Sequence, residues 1–143
     1  MLEISNVRNI ISRILAITDS AHIYILCCKC PRRLIDTMPV FISWLTVIAL
    51  TRNTCCHHAR VWNKENSITP MIARKLSRPW ISPSVPTNRT FFDICIIKWF
   101  VDIVSPHNDM KSHLQQLLSD FPMVDIKAMG FPINWQEEPL WKE

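Results

Sequence analysis

The stretch Val40-Phe-Ile-Ser-Trp-Leu-Thr-Val-Ile-Ala-Leu50, running directly into Thr51-Arg-Asn-Thr-Cys-Cys-His-His-Ala-Arg-Val-Trp-Asn63, decides how this chain is read. Residues 40–50 are continuously apolar apart from Ser43 and Thr46, too long a run for an ordinary strand and free of proline. A single helix is expected from Pro39 or Val40 through Asn63, buried in its first half and polar in its second. Its polar half holds a fixed cation, imidazoles and amides within about three helical turns. Arg52 and His57 are separated by about 500° of rotation, so they project within about 140° of one another and share one edge of the helix. An arginine holds a phosphate with its planar fork. A histidine titrates near neutral pH and moves a proton. The pair is a minimal phosphodiester-cleaving kit that needs no metal.

Composition bounds the rest. With 143 residues, one domain is the prior. The chain is 48% hydrophobic and 20% charged, enough apolar material for a core. One glycine against ten prolines disfavours a hairpin-rich β fold and favours helices joined by proline-marked loops. The fold class expected is therefore all-α. The net charge of +4 is compatible with an anionic partner. No apolar stretch reaches the ~18 residues that span a bilayer, so no membrane partner is expected. Six cysteines include two adjacent pairs, and no secretory signal precedes them, which points to a reducing cytoplasm rather than a disulfide framework.

Outside the central stretch, Leu2, Ile4, Val7, Ile10, Ile11, Ile14 and Leu15 recur at helical spacing and read as an amphipathic helix. Residues 19–33 are ambiguous between strand and helix. Prolines 70, 79, 83 and 86 make residues 70–90 an irregular loop, with room for a short helix at 71–76. A helix is expected over 91–104, where Phe92, Cys95, Ile96, Trp99 and Ile103 recur at three or four. Ser105-Pro106 reads as N-cap and first position of the next helix, with Asn108 a second candidate cap. That helix runs to Phe121, buries Leu114, Leu117 and Leu118, and ends at Pro122. Gly130 marks a chain reversal, and Trp135 and Trp141 are expected to clamp the tail onto the bundle.

Arg52-Asn53-x-x-x-His57 resembles the Arg-Asn-x-x-x-His signature of HEPN-type ribonucleases. The longer string Arg52-Asn53-x-Cys55-x-His57-His58-x-Arg60-x-Trp62-Asn63 is similar to that of the Abi-like abortive infection proteins of bacteria. Cys56 stands where that family has alanine. The tail, with Met129-Gly130-Phe131-Pro132, Trp135 and a terminal Leu140-Trp141, resembles the same family, so the resemblance covers residues 41–143. It implies a partial HEPN-like helical bundle with a proline-rich loop and a tryptophan-rich tail, residues 1–40 being a separate N-terminal segment. Family members are longer, which implies a truncated C-terminal portion that lacks upstream helices or takes them from another chain. Trp44 and Leu45 are then expected to lack packing partners.

The activity implied is metal-independent endoribonuclease action in phage defence, in a bacterial cytoplasm, with no cofactor. His57 would serve as general acid or base, Arg52 would stabilise the phosphorane and Asn53 would orient His57 or bind phosphate. RNA is the implied substrate and a homodimer the implied assembly, the sites of two protomers facing each other; a neutralising partner is also conceivable. His58, Arg60 and Asn63 are expected to touch RNA or to stand behind the residues that do. A structural role for His58 and a solvated face for Arg60 and Asn63 are the alternatives. Trp62 reads as core, with base stacking the alternative.

Two other classes stay open. Cys27-x-x-Cys30 and Cys55-x-x-His58 mimic the spacing of a structural zinc site and would make a nucleic-acid-binding module. An inert remnant, or an interaction protein that keeps the helical surface without chemistry, is the other. Serine or cysteine hydrolase chemistry has no glycine-flanked nucleophile elbow, and phosphate-cradling glycine loops are absent.

Overall fold

The computed structural model describes residues 38–57 and 64–142. Its described part is all-α: helix α1 (Met38–Cys56), helix α2 (Thr90–Val104), helix α3 (Met110–Asp120) and a 3-10 turn at Trp135–Glu137. No strand occurs among the described residues, beyond an isolated bridge residue at Leu76. The amphipathic segment 2–15, residues 19–33 and Trp62 lie outside them, and so does the proposed boundary at residue 40 in all but its last positions.

Helix α2 is the axis of the core. Every residue from Thr90 to Val101 except Lys98 is buried. A helix apolar on all sides is stable only when neighbours cover every face, and here three groups of residues do so. The first is α1, which buries Val40, Phe41, Trp44, Val47, Ile48, Thr51 and Cys55, the expected i, i+3, i+4 stripe. The second is α3, through Met110, Leu114 and Leu117, with Leu118 partly covered. The third is the tail, which contributes Met129, Phe131, Trp135, Leu140 and Trp141. Among the described residues no helix is long and apolar enough to cross a membrane.

Trp44 and Leu45 do not lack partners. Trp44 is fully buried, stacks on Trp80 at 4.7 Å between ring centroids and meets Trp99 edge-on at 5.5 Å. Leu45 packs against the same core. The loop delivers the missing cover: Trp80 arrives from between Pro79 and Pro83, where no helical periodicity marks it as core.

Helix α1 ends sooner than its composition suggests. It stops at Cys56, and His57 follows in a turn closed by its amide donating to the Asn53 carbonyl at 2.9 Å. Residues 71–76 form no helix. The Met71 amide donates to Ser43 Oγ at 3.0 Å and its carbonyl accepts from Trp44 Nε1 at 2.9 Å, so its backbone groups are taken up by α1 side chains. Ser105-Pro106 does not start α3 either. The Ser105 amide closes α2 by donating to the Val101 carbonyl. The N-cap of α3 is Asp109, whose side chain makes no capping hydrogen bond; Asn108, the second candidate cap, stands one residue before it, its Oδ1 accepting from the Met110 amide at 3.2 Å. Its Nδ2 also donates to Asp102 Oδ1 and to the Ser105 carbonyl, folding the linker back on α2.

The tail is as the sequence suggests. Gly130 has φ +87°, and its reversal is closed by Phe131 N–H donating to the Ile126 carbonyl at 3.1 Å. Trp141 lies at 6.2 Å from Phe91 and 5.1 Å from Trp135, with Nε1 donating to Cys95 Sγ at 3.3 Å. Phe91 thus sits among Phe131, Trp135 and Trp141, and the tail closes over the first turns of α2.

Candidate functional site

The inner stripe of α1 is held by the core, which fixes what its outer side presents. Arg52, Asn53 and Cys56 are exposed in the last turns of the helix, and His57 is exposed in the turn that follows. Neither the Arg52 guanidinium nor the His57 imidazole has an ion-pair or hydrogen-bond partner among the described residues. A free cation, an amide and an imidazole on one solvent-facing helix end can meet an anionic ligand without first breaking an internal contact. His58, Arg60 and Asn63 lie outside the described residues, as do Cys27 and Cys30. Of the zinc-like set only Cys55 is described, and it is buried on the inner stripe. No group of three or more metal-ligating side chains occurs among the described residues.

Against the inner stripe of α1 lies a second polar feature. Asp93, in the first turn of α2, is 2% exposed. Asn66 Nδ2 donates to both its oxygens, at 2.9 and 2.8 Å, and Thr51 Oγ1 donates to Oδ2 at 3.3 Å. No cation pairs with it among the described residues. Burial therefore dominates and pushes its pKa up to about 7, against the opposing effect of the Asn66 and Thr51 hydrogen bonds. The signal was present in the sequence: one acid inside Phe91-Phe-Asp-Ile-Cys-Ile-Ile97, an apolar run with no other charge. Buried carboxylates without a cationic partner are costly and cluster at functional sites.

Asp93 lines a cleft of about 80 Å³ with Asn66, Thr51, Thr54, Lys64 and Ser67, its apolar wall being Val47, Leu50 and Ile68. The loop that carries Asn66 is fastened at both of its ends. Asn66 N–H donates to the Asn88 carbonyl at 2.9 Å, and Glu65 pairs with Arg89 at 2.7 Å. Two elements far apart in sequence therefore meet at one carboxylate, directly below the residue that precedes Arg52.

Other polar groups are structural. Lys98 pairs with Asp102 and lies 5.7 Å over the Trp141 ring. Glu138 accepts from the Ser82 amide and hydroxyl at 2.7 and 2.9 Å, tying the loop to the tail. Cys95 is fully buried, and burial pushes its thiol up, away from the reactive thiolate.

Compared with family models, with curated proteins and with solved structures, the chain matches none of them.

Proposed function

We propose that this chain carries a metal-independent RNA-cleaving site built on Arg52, Asn53 and His57, of the kind found in Abi-like abortive infection proteins, and that it acts on RNA in phage defence. The observation that supports this reading is the joint exposure of the three residues at and just beyond the end of one anchored helix. RNA supplies its own nucleophile, the 2′-hydroxyl. The protein has only to take its proton, return one to the leaving 5′-oxygen and stabilise the charge on phosphorus. His57 moves a proton, a role worth about 10²–10⁴-fold. Arg52 faces the phosphate oxygens with two parallel N–H groups and no competing carboxylate. Asn53 holds the phosphate or the imidazole. A second protomer supplies the second histidine and arginine. His58, Arg60 and Asn63 are proposed to bind RNA or to support the residues that do.

The test is incubation of the purified protein with RNA in EDTA beside a His57→Ala variant. Cleavage by the first, reduced about 10²-fold or more in the second, is expected. His57 is exposed, so the variant should keep the unfolding midpoint of the parent. Intact RNA with folded, dimeric wild-type protein would remove the enzymatic reading and leave that of a helical interaction surface.

A further inference from the structure

Helix α1 is apolar on two sides, and the core accounts for one of them. Val40, Trp44, Val47, Ile48 and Thr51 are buried against it. Turned about 120° from Trp44 lies a second row, Met38, Ile42, Leu45 and Ala49, at spacings of four, three and four. Met38 is 49% and Ile42 56% exposed, Ala49 is exposed and Leu45 is half-buried. The loop that carries Ile68 and Met71 packs on the other flank of α1, against Ser43, Val47, Leu50 and Thr54. Alternating spacings of four and three make a seam for another helix, each side chain fitting between those of the partner. A helix apolar on all sides is stable in water only when every side is covered. The row continues into Arg52 and Cys56, so its apolar part ends at Ala49, about 16 Å from Met38.

Residues 1–37 precede α1 and join it at Met38, the first residue of the row. Their apolar stripe includes Ile4, Val7, Ile11 and Ile14, at spacings of three, four and three. As a helix it presents four apolar side chains over about 15 Å. Such a helix is marginal alone in water and needs a surface to pack on. The two rows match in number, length and spacing. Residues 16–37 between them reach up to about 70 Å when extended, enough to lay the segment along the row in either direction. A second copy of the chain is the poorer occupant. Four side chains bury well short of the ~800 Å² per partner that a stable interface between separate chains needs. A tethered segment needs less, because the tether holds it at an effective concentration on the order of millimolar.

We infer that the row of Met38, Ile42, Leu45 and Ala49 is the docking surface for residues 2–15 of the same chain, packed on it as a helix. The segment and the core then clamp α1 from two sides. The matched positions end at Ala49, about one turn short of Arg52, so the cation stays open to an anion. The inference is independent of the RNA reading above.

The test uses the full chain with a reporter thiol at the seam, Ala49→Cys. Its alkylation by iodoacetamide is followed by mass spectrometry on the tryptic peptide 34–52, which has no native cysteine. Gln115→Cys, exposed on α3, gives the open rate from the peptide 112–127, which has none either. The thiol of Ala49→Cys should react about tenfold more slowly than that of Gln115→Cys. Adding Ile11→Glu should bring it to the open rate while circular dichroism shows the core still folded. Adding Ile42→Glu instead should do the same with the sedimentation mass unchanged. Ile42 is 56% exposed on the folded core, so this variant carries the test if Ile11→Glu does not fold. Equal rates for Ala49→Cys and Gln115→Cys at the start overturn the inference, because the row is then open. Slow labelling that survives Ile11→Glu in folded protein overturns it as well. So does release by Ile42→Glu with a halved mass, which assigns the row to a second copy.

Discussion

The side-chain amide of Asn66 bridges both oxygens of Asp93, at 2.9 and 2.8 Å, and through that bridge a proline-rich loop is fastened to the first turn of the central helix. The bond joins residues 27 apart in sequence and holds a carboxylate that is 2% exposed. Thr51 adds the third hydrogen bond from α1, so two separate parts of the chain converge on one acid of α2.

This convergence sets a pH dependence. Asp93 has its pKa raised from 3.8 to about 7 in the folded protein, so the native state holds a proton that the unfolded chain has released. The stability contributed by that proton is fully present below about pH 4 and is lost as pH rises through about 7; above that, both states are ionised and the effect is flat. At most about 4 kcal/mol is at stake between the two limits. Urea unfolding at intervals from pH 4 to 8 should show wild type losing stability relative to Asp93→Asn across this window. Parallel curves for the two proteins would mean that Asp93 titrates as an ordinary carboxylate.

Trp44 joins the loop to α1 in two ways, by stacking on Trp80 and by the Nε1 bond to the Met71 carbonyl. Trp44→Phe keeps an aromatic ring but leaves that carbonyl without its donor, which should cost about 1–2 kcal/mol. Trp44→Ala also opens a cavity and should cost about 3–5 kcal/mol. Denaturation midpoints for the two variants check the order; an alanine variant as stable as the phenylalanine one would show that the indole is not packed as described.

Gly130 combines a φ of +87° with a close approach to Arg89, whose Cβ would lie 2.6 Å from a Cβ added at position 130. Gly130→Ala should therefore cost about 2–4 kcal/mol, part from the left-handed backbone and part from the clash. In an Arg89→Gly background the clash disappears and only the backbone part, about 1–2 kcal/mol, should remain. Equal losses in the two backgrounds would place the whole effect in the backbone.

Much of the helical architecture was legible. The 40–50 run, the 91–104 periodicity and the Leu114 and Leu117 spacing each identify a helix because side chains at three and four apart share a face. Gly130 announced its turn, being the single residue able to take that φ without strain. The errors fall at ends and in the loop. The Ser105-Pro106 pair carries an N-terminal signature, yet α3 starts at Met110 behind Asp109, and Asn108 ties the linker to Asp102 on the preceding helix. The Met71–Leu76 segment has acceptable helix formers, yet its first backbone groups bond to Ser43 and Trp44. The Met71 contacts join residues 27 and 28 apart in sequence, which no local pattern encodes.

The candidate site divides in the same way. Arg52, Asn53 and His57 are neighbours in sequence, and the structure shows all three exposed, with His57 in the turn that follows the helix. Asp93 could be seen as an anomaly but not explained. The sequence by itself determined the helices and the turn at Gly130, because those follow from backbone geometry over a few residues. Only the tertiary structure decided that Trp80 covers Trp44 and that Asn66 and Thr51 meet Asp93 over a cleft, because burial and hydrogen bonding between distant segments are set by how the chain packs as a whole.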